Sequence, residues 1–216
     1  MMNNDSVTHF QNIQSLIQQG KTKALQVATA YSIAVYWNVG AYLSHRLTEK
    51  THGKKIVEEL ATWLSRQQPN LKGFDRRSLY RMREFFESWQ IVDWSLLPDD
   101  INSRNILIGD VLTIAEEKIV GSVTPQLPML PNVLARTTWT HHQEILRGTT
   151  SPEEKLFYLV LTIKDRYTVK ELRRQIKSAL FERQMLAKHT LIVPEHPRKE
   201  VFAEIFRDRY LLEFLN

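Results

Sequence analysis

Residues 73–89, with the sequence GFDRRSLYRMREFFESW, form the stretch that decides the fold. Gly73 and Phe74 indicate a tight turn, and Asp75 stands where a side-chain oxygen accepts the free amide protons of a helix start. From residue 76 to 89, the apolar residues recur on one helical stripe, which contains Leu79, Met82, Phe86 and Trp89. The opposite side carries Arg77, Tyr80, Arg81 and Glu84. The stretch predicts a capped helix with one packing face and one basic face.

Two more helices are predicted before this one. Residues 21–49 are apolar nearly all round, from Leu25 to Leu43, which is typical of a helix buried on more than one side in a core or a subunit interface. We expect its aromatic side chains to be in the core or a dimer interface: Tyr31, Tyr36, Trp37 and Tyr42. Residues 54–66 form a second helix, ended by Pro69, whose apolar face holds Ile56, Leu60, Trp63 and Leu64.

The second half of the chain opens two helices with strong start signals. Ser151-Pro152-Glu153-Glu154 combines an N-cap serine with a proline at the first helical position, and the helix is predicted to end near residue 166. Thr168 begins a capping box with Glu171, and this helix is predicted to run to about residue 188. The short joint between the two predicts a helix-turn-helix.

Together these signals predict a mainly α protein: a helical bundle that contains helix-turn-helix units, arranged in two helical subdomains. Four of the eight prolines lie between residues 98 and 131, so this segment is interpreted as a Pro-rich joint. The N-terminal subdomain would span residues 1–97 and the C-terminal subdomain residues 132–216, each with its own helix-turn-helix.

Composition excludes several classes of protein. The 216 residues are 43% hydrophobic and 25% charged, which is typical of a globular chain rather than a disordered one. The sequence has no cysteine, which excludes disulfide frameworks, thiolate metal sites and cysteine nucleophiles. The N-terminus lacks the pattern of a signal peptide, and no apolar run has the length of a membrane span. We therefore expect a cytoplasmic protein with no membrane partner.

Positive charge is concentrated in two segments. Residues 72–83 hold five basic residues and one acid, and residues 164–188 hold eight basic residues and three acids, although the whole chain has a net charge of only +5. A nucleic-acid-binding helix needs long cationic donors for phosphates and base edges. The predicted nucleic-acid-binding residues are Lys72, Arg76, Arg77, Tyr80, Arg81, Arg83, Lys170, Arg173, Arg174 and Lys177.

Other candidate sites are rejected on their patterns. Asp110 with Glu116-Glu117-Lys118 has the residue order of a Mg²⁺-dependent nuclease motif, but its surroundings predict an amphipathic helix instead of the strands that the motif requires. Adjacent His141 and His142 point about 100° apart on a helix, so we predict no metal site there, with Thr140 as a cap and both histidines partly exposed. Arg183 lies on an apolar stripe and is expected in a structural ion pair.

Several segments resemble the N-terminal domain of the YhcG-like nuclease family, which is bacterial. In the first half these are residues 36–40 (YWNVG), 52–60 (HGKKIVEEL) and 69–85 (PNLKGFDRRSLYRMREF). In the second half they are residues 139–142 (WTHH), 157–158 (FY), 168–176 (TVKELRRQI), 181–183 (FER) and 206–215 (FRDRYLLEFL). The resemblance extends from about residue 10 to 215 and is weak between residues 96 and 133, where any wing would lie.

The resemblance implies a winged-helix-like, DNA-binding region that precedes a nuclease domain of the PD-(D/E)xK class. Family members continue past the last matching block, whereas this sequence stops at Asn216. We therefore expect no catalytic residues, no enzyme activity and no cofactor in this chain, with Mg²⁺ needed only by the nuclease domain. The expected function is a DNA-binding and assembly module that forms a dimer through its first helix. The alternative is a protein-interaction scaffold without nucleic-acid contact.

Overall fold

The computed structural model describes residues 4–48, 53–98, 101 and 129–191, and within them the protein is helical with no strand. The mainly α prediction is confirmed. In chain order the α-helices are α1 (Asn4–Thr48), α2 (Gly53–Gln67), α3 (Arg76–Gln90), α4 (Trp139–Gly148), α5 (Pro152–Lys164), α6 (Val169–Lys177) and α7 (Leu180–Leu191). Short 3₁₀ helices cover Trp94–Leu96 and Asn132–Arg136.

The core forms where α1 packs along α3, the most extensive helix pair among the described residues. The predicted stripe of α3 is buried, and Phe85 joins it. Trp37 of α1 contacts Phe85 and Phe86 edge to face, with ring centroids 5.9 and 4.8 Å apart. Gly40 permits this close approach, because a Cβ atom there would lie 2.2 Å from the carbonyl oxygen of Met82.

Helix α5 is the most deeply buried element, since every side chain from Glu154 to Thr162 is covered. Its apolar residues belong to the same core cluster as Ile33 of α1 and Phe85 of α3, so one core includes residues from both sides of the Pro-rich segment. A smaller cluster around Leu43 and Val57 holds α2 against α1 and α3. Most of the joint at 98–131 lies outside the described residues, and the division into two subdomains stays a prediction.

The predicted helix starts are confirmed in atomic detail. Asp75 accepts a hydrogen bond from the Ser78 amide at 3.1 Å, and Ser151 accepts one from the Glu154 amide at 3.0 Å. Thr168 forms the full capping box, because its hydroxyl accepts the Glu171 amide while the Glu171 carboxylate accepts the Thr168 amide. Local side chains therefore fix where α3, α5 and α6 begin.

Helix α1 differs from its prediction in length and in burial. It begins at Asn4, well before the expected residue 21, and residues 8–28 are exposed. Leu25, expected on a buried helix, is 70% exposed, and continuous burial starts near Ala30. The prediction was wrong here because an apolar pattern shows what could be covered, while other elements reach only the second half of α1. We call residues 8–28 the arm.

The predicted single helix over residues 168–188 was also wrong. The chain breaks between α6 and α7 at Ala179, whose φ is +52°. The Tyr158 hydroxyl of α5 donates to the Gln175 carbonyl and accepts the Phe181 amide, so it satisfies backbone groups on both sides of the break. The bend buries Leu180 and places Phe181 against Phe157, but it leaves Leu186 68% exposed.

Candidate nucleic-acid interface

The basic residues of α3 form two groups with different surroundings. Arg76 pairs with Glu58 at 3.1 Å and lies over the Tyr80 ring, and Arg83 pairs with Glu87 at 2.7 Å. Arg77 and Arg81 form no ion pair within the described part of the chain, and their spacing of four residues places them on the same side of the helix. The surface of α3 therefore offers two unpaired guanidinium groups, one exposed and one half-buried.

Helix α6 repeats this arrangement. Arg173 holds Glu144 with two charge-assisted hydrogen bonds, from Nε at 2.9 Å and from Nη2 at 2.8 Å. These bonds lower the pKa of Glu144 below its usual value, despite the burial of that carboxylate. Lys170, Arg174 and Lys177 are exposed and form no ion pair among the described residues. Their spacing places them on one stripe of α6.

Lys72 lies in the loop before α3, at an open groove between the end of α2 and the start of α3. The groove is also lined by Arg66, which the sequence analysis did not select because α2 as a whole is not basic. Both side chains are exposed. Unpaired cations therefore lie both in the first turn of α3, at Arg77, and beside that turn, at Lys72 and Arg66.

The N-terminal ends of α3, α4 and α6 are connected through one aromatic residue and one histidine. Tyr36 of α1 contacts Phe74, just before α3, and Trp139, the first residue of α4, with ring centroids 6.2 and 4.7 Å apart. His141 in the first turn of α4 then donates from Nε2 to the carbonyl of Tyr167, just before α6, at 2.9 Å. This chain of contacts brings the starts of the two basic helices toward the same region of the fold.

The two adjacent histidines hold α4 in place. His141 is half-buried, as predicted, whereas the predicted partial exposure of His142 was wrong. His142 is fully buried between Phe85 and Trp89, where its Nε2 lies 2.9 Å from the Leu134 carbonyl. A carbonyl can only accept, so this ring carries its proton on Nε2. Burial is the main cause that lowers the pKa of His142 to about 4. The N-cap residue is Thr138 rather than Thr140, because α4 begins at Trp139, two residues earlier than a cap at residue 140 would allow.

Some of the remaining sequence-based predictions concern residues that the structure describes, and others concern residues outside the described ranges. Asp110 and residues 116–118 lie outside the described residues. Within those described, no cluster of three or more histidine and carboxylate side chains could hold a metal ion.

Arg183, expected in an ion pair, instead donates from Nη2 to the Ser178 hydroxyl at 3.2 Å, because the break at Ala179 brings that hydroxyl close. None of the helices in the described part of the chain is both long and apolar enough to cross a bilayer.

The chain matches a known protein family. The model of the DUF1016 N-terminal domain matches residues 12–106 and 122–183, and these ranges include α3 and α6 with all ten predicted site residues. No curated protein and no solved structure matches the chain. Since the matched ranges cover most of the sequence and agree with the resemblance to the YhcG-like family, the chain belongs to the DUF1016 family and carries its N-terminal domain.

Proposed function

We propose that this chain is a cytoplasmic DNA-binding and assembly module, with α3 and α6 as the helices that meet DNA. The observation that carries the proposal is the set of surface cations that form no ion pair within the described part of the chain: Lys72, Arg77, Arg81, Lys170, Arg174 and Lys177. A cation already bound to a carboxylate must lose that partner before it can meet a phosphate, whereas an unpaired cation need not. Arg76, Arg83 and Arg173 therefore serve mainly to support the fold.

Helix geometry supports phosphate contact by these residues. Arg77 and Lys170 lie in the first turns of α3 and α6, where the helix dipole also favours anions. Arg81 and Arg174 continue the cationic stripes from those ends. The four residues between α5 and α6 match the short turn of a helix-turn-helix, in which α6 would be the second helix.

The experiment is a titration of labelled duplex DNA, followed by fluorescence anisotropy at several salt concentrations between about 50 and 200 mM. Arg77→Ala and Arg174→Ala should each weaken binding and lower the slope of log affinity against log salt by about one. Arg83→Ala removes the same residue type from the same helix, but one already bound to Glu87, and should change the slope less. Lys23→Ala on the arm removes the same charge elsewhere and should leave the slope unchanged.

Equal effects of Arg77→Ala, Arg83→Ala and Lys23→Ala would show that only net charge matters, and this result would remove α3 from the interface. The proposal assigns no chemistry to this chain, so duplex DNA incubated with Mg²⁺ should stay intact. Cleavage that Glu116→Ala abolishes would overturn that part of the proposal.

A protein-interaction scaffold is the second candidate function, and the arm is the observation that favours it. Five large apolar side chains of the arm are more than half exposed: Phe10, Ile13, Leu16, Ile17 and Leu25. So much exposed apolar surface on one segment is unusual for a protein that acts as a monomer. A scaffold without DNA contact would show no salt-dependent affinity for duplex DNA, and none of the α3 or α6 variants would differ from the original chain.

A further inference from the structure

The arm carries a regular apolar seam that no other described element covers. Its positions alternate in steps of three and four residues: Phe10, Ile13, Ile17, Gly20, Ala24 and Val27. This is the spacing of a helix that pairs with another helix, sustained over six successive positions between residues 10 and 27. The opposite face is polar, with Ser15, Gln19, Thr22 and Gln26. At 1.5 Å per residue the exposed arm is about 32 Å long.

The seam has a bulky half and a small half. Phe10, Ile13 and Ile17 lie in the first half, while the second half holds Gly20, Ala24 and Val27. When two arms run antiparallel about a centre between residues 18 and 19, each bulky residue of one arm faces a small one of the other: Phe10 with Val27, Ile13 with Ala24, and Ile17 with Gly20. A parallel pair would instead stack glycine on glycine and leave a gap, which is costly in a packed interface.

The charges of the arm favour the same partner. Lys21 and Lys23 are its two charged side chains at neutral pH, both in the small half. In the antiparallel pair they face the uncharged half of the other arm, so no cation opposes another. Two lysines are too few for a phosphate-binding surface or for the cation-rich polar face of a membrane-surface helix.

The area also suffices for a pair of arms. Burying the exposed apolar side chains of the seam on both arms, together with Leu16 beside it, removes on the order of 1,000 Å² from water, which is the lower limit for a specific interface. We propose that residues 8–28 bind the same segment of a second copy of this chain as an antiparallel helical pair. This inference deepens the assembly part of the proposed function and does not depend on DNA binding.

Oligomeric state tests the pairing without DNA. The full chain should sediment as a dimer, and Ile17→Glu should raise its dissociation constant by roughly 100-fold or more, because a carboxylate would enter the seam. Gln19→Glu adds the same charge to the polar face and should leave the dimer intact. The circular dichroism spectrum of Ile17→Glu should show the same helical content as that of the original chain, because Ile17 lies outside the core. A monomeric original chain, or a dimer that resists Ile17→Glu, would overturn the proposal.

Cysteine crosslinking tests the direction, since the natural sequence has no cysteine. Ile13→Cys mixed with Ala24→Cys should give a mixed disulfide on mild oxidation, because the antiparallel pair brings these positions together. Ser15→Cys mixed with Gln26→Cys, on the polar face, should give none. A disulfide between two copies of Ile13→Cys, without the mixed product, would show a parallel pair and overturn the antiparallel one. None of these crosslinking results affects the outcome of the salt titration, which tests DNA binding separately.

Discussion

Gly40 is the position where a single added methyl group should disturb the α1–α3 packing most. A Cβ atom at this residue would lie 2.2 Å from the carbonyl oxygen of Met82, 2.8 Å from its carbonyl carbon and 2.9 Å from the Phe86 Cβ atom. Two of these neighbours are backbone atoms of a buried helix, so they cannot move aside as the end of a flexible side chain could. Gly40→Ala therefore requires α1 and α3 to separate.

The expected cost follows from two opposing effects. Alanine favours a helix over glycine by about 1 kcal/mol, which would stabilise α1 by itself. Overpacking a tight core costs about 1–3 kcal/mol, and the contact with backbone atoms places Gly40→Ala at the upper end of that range. The net loss in the free energy of unfolding is then about 2 kcal/mol. For a chain of this size, this corresponds to a fall of about 4–8 °C in Tm.

Urea and thermal unfolding of the original chain and of Gly40→Ala measure this loss. Gly20→Ala is the matched control, since it makes the same change in the same helix where a Cβ atom would meet nothing within 4 Å. At protein concentrations too low for association, Gly20→Ala should be as stable as the original chain or slightly more so. A Gly40→Ala variant with unchanged or higher Tm would refute the packing argument.

Three further predictions concern polar contacts. Asp75→Ala should lower the free energy of unfolding by about 1 kcal/mol and Asp75→Ser by much less, because serine also caps; equal losses in urea unfolding would contradict the capping role. The pKa of buried His142 is about 4, below the ordinary value of 6.5, so between these pH values the unfolded chain binds the extra proton and stability falls as pH falls. The slope should approach about 1.4 kcal/mol per pH unit, and His142→Leu should show a flatter profile in urea unfolding from pH 7 to 5; identical profiles would exclude this group. A double-mutant cycle with Glu144→Ala and Arg173→Ala should give a favourable coupling energy, whereas additive losses would show that the pair is not coupled.

The candidate site was only partly predictable from the sequence. The basic stripes of α3 and α6 follow from helical spacing, which is a local property. The structure shows in addition which cations of each stripe form ion pairs and which do not. The Arg83–Glu87 pair could have been found, because its partners stand four residues apart on one helix. The Arg173–Glu144 pair could not, because it joins residues 29 positions apart on different helices.

By itself, the sequence determined the helical class, the starts of α3, α5 and α6, and the apolar stripe of α3. These features depend on side chains that act within one turn of their own backbone, so a short window contains all the necessary information. Tertiary structure decided which half of α1 is covered, where the last helix breaks, how deeply His142 is buried and which cations stay unpaired. Each of these depends on groups that are distant in the sequence, such as Tyr158 at the α6–α7 break. The local spacing of residues cannot predict such distant contacts.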